Sequence, residues 1–125
     1  MIPIFRAKHY RDDVYFIGSL IGKEDEYYII EDEDMEYYRP IDPTTLAIHF
    51  PNMLDSQGNK IFASLSEDGK GGDIFILGDE RLKYIAKMHN NQLMGKQQGT
   101  YGSLIGQGYA TTEKWKVIGI QEWKN

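Results

Sequence analysis

The chain has 125 residues, of which 41% are hydrophobic and 26% charged, with a net charge of −5 and no cysteine. These values fit one folded globular domain and exclude a chain that is disordered by composition. They also exclude disulfides, thiolate catalysis and cysteine-ligated zinc, and no apolar run approaches the roughly 20 residues of a membrane helix.

Alternating apolar and polar residues predict β-strands along almost the whole chain. The predicted strands cover residues 2–7, 14–21, 26–31, 36–41, 46–50, 60–65, 73–77, 81–88, 100–105 and 114–123. Segments rich in glycine, asparagine and aspartate separate these strands at intervals of roughly 8 to 12 residues, a spacing typical of a small barrel or sandwich. We therefore predict an all-β fold.

A helix is predicted at one place only. Asp42 can cap a helical turn and Pro43 suits the first helical position, while Pro51 limits its length. Residues 88–98 are polar and weakly patterned, and we predict a loop there. Because no segment is long enough to be a linker, we expect a single domain over residues 1–125, or two lobes of about 1–50 and 51–125 that share a core.

The predicted strand at residues 81–88 has the clearest alternation. One face would hold Leu82, Tyr84, Ala86 and Met88, and the other Arg81, Lys83, Ile85 and Lys87. This pattern predicts one buried face and one face in solvent.

Negative charge is concentrated in the first half of the chain. Residues 1–65 carry 12 acidic and 6 basic side chains, whereas residues 66–125 carry 7 acidic and 8 basic ones. Two acidic clusters, residues 24–26 and 31–34, are predicted to be solvated hairpin tips. Calcium binding is the alternative, but the ligand spacing of an EF-hand loop is missing.

No residue pattern indicates catalysis, a metal site or a cofactor. His9, His49 and His89 have no closely spaced partner, so we predict ordinary surface or turn positions for them. The glycine-rich residues 67–73 lack the order of a phosphate loop, and no serine has the spacing of a nucleophile elbow. We predict that the protein is not an enzyme and has no cofactor and no catalytic or metal-binding residues.

A basic and aromatic face in the C-terminal half is a candidate site for single-stranded nucleic acid or a partner. Its residues would be Arg81, Lys83, Lys87, Tyr101, Lys114, Trp115 and Lys116. Lysines that follow a groove and aromatic rings that stack on bases are typical of single-strand binders. The net negative charge of the chain opposes this interpretation.

The tyrosines favour a second interpretation, which is protein binding or self-association. The chain has 9 tyrosines, and the neighbouring pairs Tyr27-Tyr28 and Tyr37-Tyr38 each send one ring to either face of a strand. Some of these rings should therefore lie at the surface, where tyrosine contributes strongly to protein interfaces. Alternatively, the rings cover the second face of a curved barrel.

Several motifs resemble the YopX family of small phage and prophage proteins. Phe5-Arg6-Ala7 matches the family's opening motif, and residues 43–50 are similar to its Pro-Glu-Thr-Val-Gly-Gln-Phe segment, with the glutamate and the glycine replaced. Residues 55–62 are similar to its Asp-x-x-Gly-Lys-x-Ile-Phe motif. Gly72-Asp73-Ile74 continues the pattern after an insertion at residues 63–71, and residues 117–120 partly match the family's ending.

The resemblance spans most of the chain and implies a phage-derived accessory protein of the bacterial cytoplasm, without established activity. It implies a β-rich fold with an SH3-like barrel in the C-terminal half, and a homo-oligomer. Together with the sequence patterns, it favours a protein that acts by binding another protein or itself. Single-stranded nucleic acid is the alternative partner, and no membrane interaction is expected.

Overall fold

A computed structural model describes residues 2–31, 37–78, 82–98, 104–106 and 112–121, which form eleven strands. The strands are β1 (Ile4–Lys8), β2 (Tyr15–Lys23), β3 (Glu26–Ile30), β4 (Arg39–Pro40), β5 (Ala47–His49), β6 (Ala63–Ser64), β7 (Asp73–Leu77), β8 (Lys83–His89), β9 (Gln92–Gln97), β10 (Leu104–Gly106) and β11 (Trp115–Ile120). Pro43–Thr45 and Thr112–Lys114 form short 3-10 turns. Within these ranges, no helix has the length and apolar character needed to cross a membrane. The prediction of an all-β, barrel-like fold is confirmed.

The strands form one curled sheet in the order β10-β9-β8-β6-β5-β1-β2-β3-β4, and β7 pairs with both β8 and β11. The first four strands curve, so that the residues directly after β4 lie beside the end of β1. There His9 and Ile41 form an isolated bridge, and the N–H of Asp42 donates to the carbonyl of Lys8 at 2.8 Å. The sheet thus curls like a half-barrel.

Two hydrophobic clusters fill the inside of the sheet. The larger one contains Met53, Ile61, Ala63, Phe75, Tyr84, Ala86, Leu93 and Trp115. The smaller one is built from Ala7, Ile29 and Ile41, with Phe16 and Leu20 packed against them. The larger cluster is therefore built from residues between positions 53 and 115, and the smaller one from residues between positions 5 and 46.

Three aromatic rings stack through the larger cluster. The Phe75 ring lies 3.8 Å from the Trp115 ring and 5.6 Å from the Tyr84 ring, measured between centroids. The three rings come from β7, β11 and β8, which are adjacent strands, so one stack joins all three across the sheet. This accounts for the complete burial of Trp115.

The loop predicted at residues 88–98 is wrong, because these residues contain the end of β8, a two-residue turn and β9. β9 pairs with β8 along its whole length, through a turn in which Asn90 and Asn91 have φ of 51° and 63°. Two positive φ values in a two-residue turn match the right-handed twist of a hairpin, and asparagine tolerates them well. The alternation of β9 is weak because Gly95 takes one of its buried positions.

The outer face of β8 is only partly in solvent. Residues 65–72, between β6 and β7, fold over it, so that a Cβ added at Gly69 would meet Ile85 at 2.9 Å. The Nζ of Lys87 donates to the carbonyl of Glu67 at 2.7 Å. Both Ile85 and Lys87 are buried. The prediction that this face lies in solvent is therefore correct at Lys83 and wrong at Ile85 and Lys87.

Two predictions that depend only on neighbouring residues are confirmed. The side chain of Asp42 accepts a hydrogen bond from the N–H of Thr44, and the predicted single helical turn is confirmed as Pro43–Thr45. The acidic tip at residues 24–26 is exposed at the β2–β3 turn, as predicted. Most of the second acidic cluster, residues 32–34, lies outside the described residues.

Asp55 holds β11 to the turn that follows Met53. One of its carboxylate oxygens accepts from the N–H groups of Gln57 and Asn59, and the other accepts from Val117 N–H at 3.0 Å. Burial disfavours the charge of this carboxyl group. The hydrogen bonds from Val117, Asn59 and Gln57 outweigh burial and lower the pKa of Asp55 below its usual 3.8.

We expect Asp55→Asn to reduce the free energy of unfolding by about 2 kcal/mol at neutral pH, because an amide accepts at one atom only and its NH₂ would face a donor. A lowered folded-state pKa means that the contribution of Asp55 is complete above pH 3.8 and is lost as the pH falls through the folded-state value. Urea denaturation between neutral pH and pH 3 should therefore show the deficit shrinking with acid. Asp12→Asn, at an exposed carboxylate, should change stability by no more than about 0.5 kcal/mol. A deficit that does not depend on pH would contradict the role of the charge.

Candidate functional site

An open cleft lies in the part of the structure formed by the N-terminal half of the chain. It is bordered by the β2–β3 hairpin, by the segment after β1, and by β4 with the segment after it. Its volume is about 560 Å³, within the range of ligand-binding clefts. Three kinds of residue line it: the tyrosines Tyr10, Tyr27 and Tyr28, the acidic Asp25 and Glu26, and the apolar Pro40, Ile41 and Pro43. We call this set the tyrosine cleft.

The tyrosines of the cleft are held in place but remain accessible. Tyr10 follows His9, whose Nδ1 accepts hydrogen bonds from the N–H groups of Arg11 and Asp12, and this fixes the turn after β1. The same His9 bridges to Ile41, which brings Tyr10 to the end of β4. Tyr10 and Tyr27 are 50% and 46% exposed, so the prediction that some tyrosine rings lie at the surface is confirmed.

The acidic residues of the cleft belong to a tight turn. Lys23 pairs with Glu26, so Glu24 and Asp25 form a two-residue turn with φ of 52° and 65°. The hydroxyl of Tyr28 donates to Glu26 at 2.6 Å. That hydrogen bond to the carboxylate raises the pKa of Tyr28 above its usual 10.0, which keeps the phenol neutral. The cleft therefore combines neutral rings with negative charge.

Cations already lie over tyrosine rings in this region. The guanidinium carbon of Arg11 is 4.7 Å from the centroid of the Tyr10 ring, and the Nζ of Lys23 is 5.6 Å from that of Tyr38. The Tyr38 ring also contacts Tyr28. The negative faces of such rings attract cations, so the geometry suits a positively charged ligand.

A second exposed surface lies on the outer face of the C-terminal half. Lys116 on β11 pairs with Ile76 on β7, which pairs with Lys83 on β8, so the two exposed lysines stand on one face roughly 10 Å apart. Lys114, just before β11, is exposed, and so is Ile118, which lies at a β-bulge. We call Lys83, Lys114 and Lys116, with Ile76 and Ile118, the lysine strip.

The structure corrects two residues of the predicted basic and aromatic face. Trp115 is completely buried between strands and has no ring surface for a base, and Lys87 is 6% exposed with its Nζ bonded to Glu67. Lys83, Lys114 and Lys116 are exposed, and the strand pairing brings Lys83 and Lys116 onto one face, with Lys114 two residues before Lys116. Arg81 and Tyr101 lie outside the described residues.

Metal-binding and histidine chemistry give no competing site in the part of the chain that the structure describes. There, no three or more histidine, aspartate or glutamate side chains are grouped so as to hold a metal ion. His49 is buried in β5, so its predicted surface or turn position is wrong, and its Nδ1 lies 3.0 Å from the carbonyl of Ile61. Burial lowers the pKa of His49, against the opposing effect of that hydrogen bond.

Comparison with known proteins gives no relative: the chain matches no protein-family model, no curated protein and no solved structure.

The sequence patterns identified the tyrosines of β3 as surface candidates but missed the cleft. Tyr10 and Tyr27 are 17 positions apart, and they line one cleft because the bridge from His9 to Ile41 closes the first four strands. One sequence pattern could have indicated the cleft. The β2–β3 hairpin with its acidic turn is followed by Pro40 and Pro43, which place rigid apolar residues beside the end of the hairpin.

Proposed function

We propose that the protein is a non-catalytic binding module whose tyrosine cleft holds an extended, positively charged segment of a partner protein. The observation that carries this proposal is the combination of half-exposed Tyr10 and Tyr27 with Asp25 and Glu26 in one cleft. Aromatic-lined grooves bind extended, proline-rich peptides, and negative residues at their edge favour peptides with arginine or lysine.

The chemistry of the cleft supports this class of partner over others. Tyrosine offers a large apolar surface with little loss of side-chain freedom, which is why it is enriched at interface hot spots. Asp25 and Glu26 would repel a phosphate backbone. The resemblance to YopX proteins, which implies a phage-derived accessory protein without established activity, agrees with a binding role.

Fluorescence anisotropy with a short peptide of alternating arginine and proline would test the proposal. We expect binding that weakens with salt, and about a tenfold or greater loss of affinity for Tyr27→Ala, the size expected for an interface hot spot. The matched variant is Tyr37→Ala, which removes an exposed tyrosine that does not line the cleft. It should bind like the unmodified protein.

A second peptide in which glutamate replaces each arginine controls for nonspecific adhesion. It should not bind, because the cleft carries negative charge. Equal binding of the two peptides, or equal affinity of the Tyr27→Ala and Tyr37→Ala variants, would refute the proposed role of the cleft.

A further inference from the structure

The lysine strip and the tyrosine cleft have opposite charge and lie in different halves of the chain. The cleft presents Asp25 and Glu26, and the strip presents Lys83 and Lys116 on one outer sheet face. Residues 1–65 have twice as many acidic as basic side chains, so the whole N-terminal half attracts a positive surface. The two surfaces are thus complementary to each other.

The apolar parts of the two surfaces also match. Ile76 lies between the two lysines and is half-buried, and Ile118, two residues beyond Lys116 on β11, is a large aliphatic residue that is 46% exposed. In the cleft, Tyr10 and Tyr27 expose about half of their surface. Contact would bury aliphatic side chains against rings, while lysine stems lie along the rings and their ammonium groups reach the carboxylates.

We infer that the cationic partner of the tyrosine cleft is the lysine strip of a second copy of this chain. This inference rests on the proposed function of the cleft. Because cleft and strip are different surfaces, one copy of a pair keeps its strip available and the other keeps its cleft. Such a head-to-tail contact extends into a ring or an open filament, not a twofold dimer.

The lysine strip fits a protein partner better than single-stranded nucleic acid. Trp115, the ring that would have stacked on bases beside these lysines, is inside the core. The net charge of −5 adds a repulsive field for any polyanion, whereas the acidic half of a second copy is attracted. Charge and apolar content therefore both favour the cleft as the occupant.

Charge reversal provides the test. Variant A carries Asp25→Lys and Glu26→Lys, and variant B carries Lys83→Glu and Lys116→Glu. Light scattering coupled to size exclusion should show the unmodified protein above the 14.4 kDa mass of one chain, with the mass falling at high salt. Each variant alone should remain at that mass, because its cleft and strip then have the same sign. An equimolar mixture should assemble again, because the strip of variant A and the cleft of variant B keep their original, opposite charges.

The controls separate the inference from the proposed function. Lys60→Glu makes the same charge change at an exposed lysine outside the strip and should assemble normally. If the unmodified protein is monomeric, or if the mixture of A and B does not assemble, the inference is wrong. Should variant A lose the arginine peptide while assembly is unchanged, the proposed function stands and this inference falls. Loss of oligonucleotide binding in variant B, without any effect on assembly, would also overturn it in favour of nucleic acid.

Discussion

Gly71→Ala is expected to destabilise the protein by about 3 to 6 kcal/mol, the largest effect of any single methyl group in the described chain. Gly71 has φ of 83°, where a side chain strains the backbone. A Cβ there would also overlap the carbonyl oxygen of Thr45, which is backbone and cannot rotate away. Gly71 cannot shift freely, since its carbonyl accepts from Arg6 at 2.8 Å and its N–H donates to Gln121 at 2.9 Å.

Gly58→Ala is the matched control. Gly58 has φ of 80°, and a Cβ there would meet nothing within 4 Å, so alanine adds strain without overlap. Left-handed strain alone costs roughly 1 to 2 kcal/mol. Urea denaturation should show a lower midpoint for Gly71→Ala than for Gly58→Ala, with unchanged slopes. Equal losses would mean that residues 65–72 move away from Thr45 at little cost.

These two glycines show what the sequence can and cannot specify about a turn. Both lie in glycine-containing turns that composition alone identifies. Nothing local distinguishes them, because the atom that makes Gly71 intolerant belongs to Thr45, 26 positions earlier in the chain. The identity of a turn is local information, whereas the surface against which the turn packs is not.

The same division separates the strands that were predicted correctly from the one that was missed. β8 alternates Tyr84 and Ala86 against Lys83 and Ile85, so its period of two was visible in the sequence. In β9, polar residues and Gly95 interrupt the alternation of apolar and polar residues, so a loop was predicted there. Its strand conformation comes from pairing with β8, which is a tertiary effect that outweighs weak intrinsic preference.

The predicted basic and aromatic face failed in part for a physical reason as well. A strand's period shows that Trp115 and Lys116 point to opposite faces, but not which face is covered. Trp115 is the inner residue because it completes the ring stack with Phe75. Lys87 shares its face with exposed Lys83, yet residues 65–72 cover only the later part of that face.

A buried ion pair connects the half that carries the tyrosine cleft to the half that carries the lysine strip. Arg6 on β1 contacts Asp73 on β7 at 2.8 Å, and both side chains are less than 10% exposed. Asp73 also accepts from the N–H of Phe62, and the Arg6 guanidinium lies 4.6 Å from the Phe62 ring. Burial raises the pKa of Asp73, although the charge of Arg6 acts in the opposite direction.

Arg6→Met is expected to lower the free energy of unfolding by about 3 to 5 kcal/mol, because it leaves the Asp73 carboxylate buried without its cation. The raised folded-state pKa of Asp73 means that folding favours its neutral form. This contribution to stability is complete below the ordinary pKa of 3.8 and is lost as the pH rises through the folded-state pKa. The deficit of Arg6→Met, measured by urea denaturation, should therefore shrink toward pH 4. A deficit caused only by lost packing would not change with pH.

Two further variants show whether the loss belongs to the pair. Lys70→Met removes a cation from the more exposed pair that Lys70 forms with Asp42 at 3.7 Å, and should cost no more than about 1 kcal/mol. The double variant of Arg6→Met with Asp73→Asn should be less destabilised than the sum of the single changes, because the second change removes the unpaired charge that the first one leaves. Additive losses would mean that Arg6 and Asp73 stabilise the fold independently.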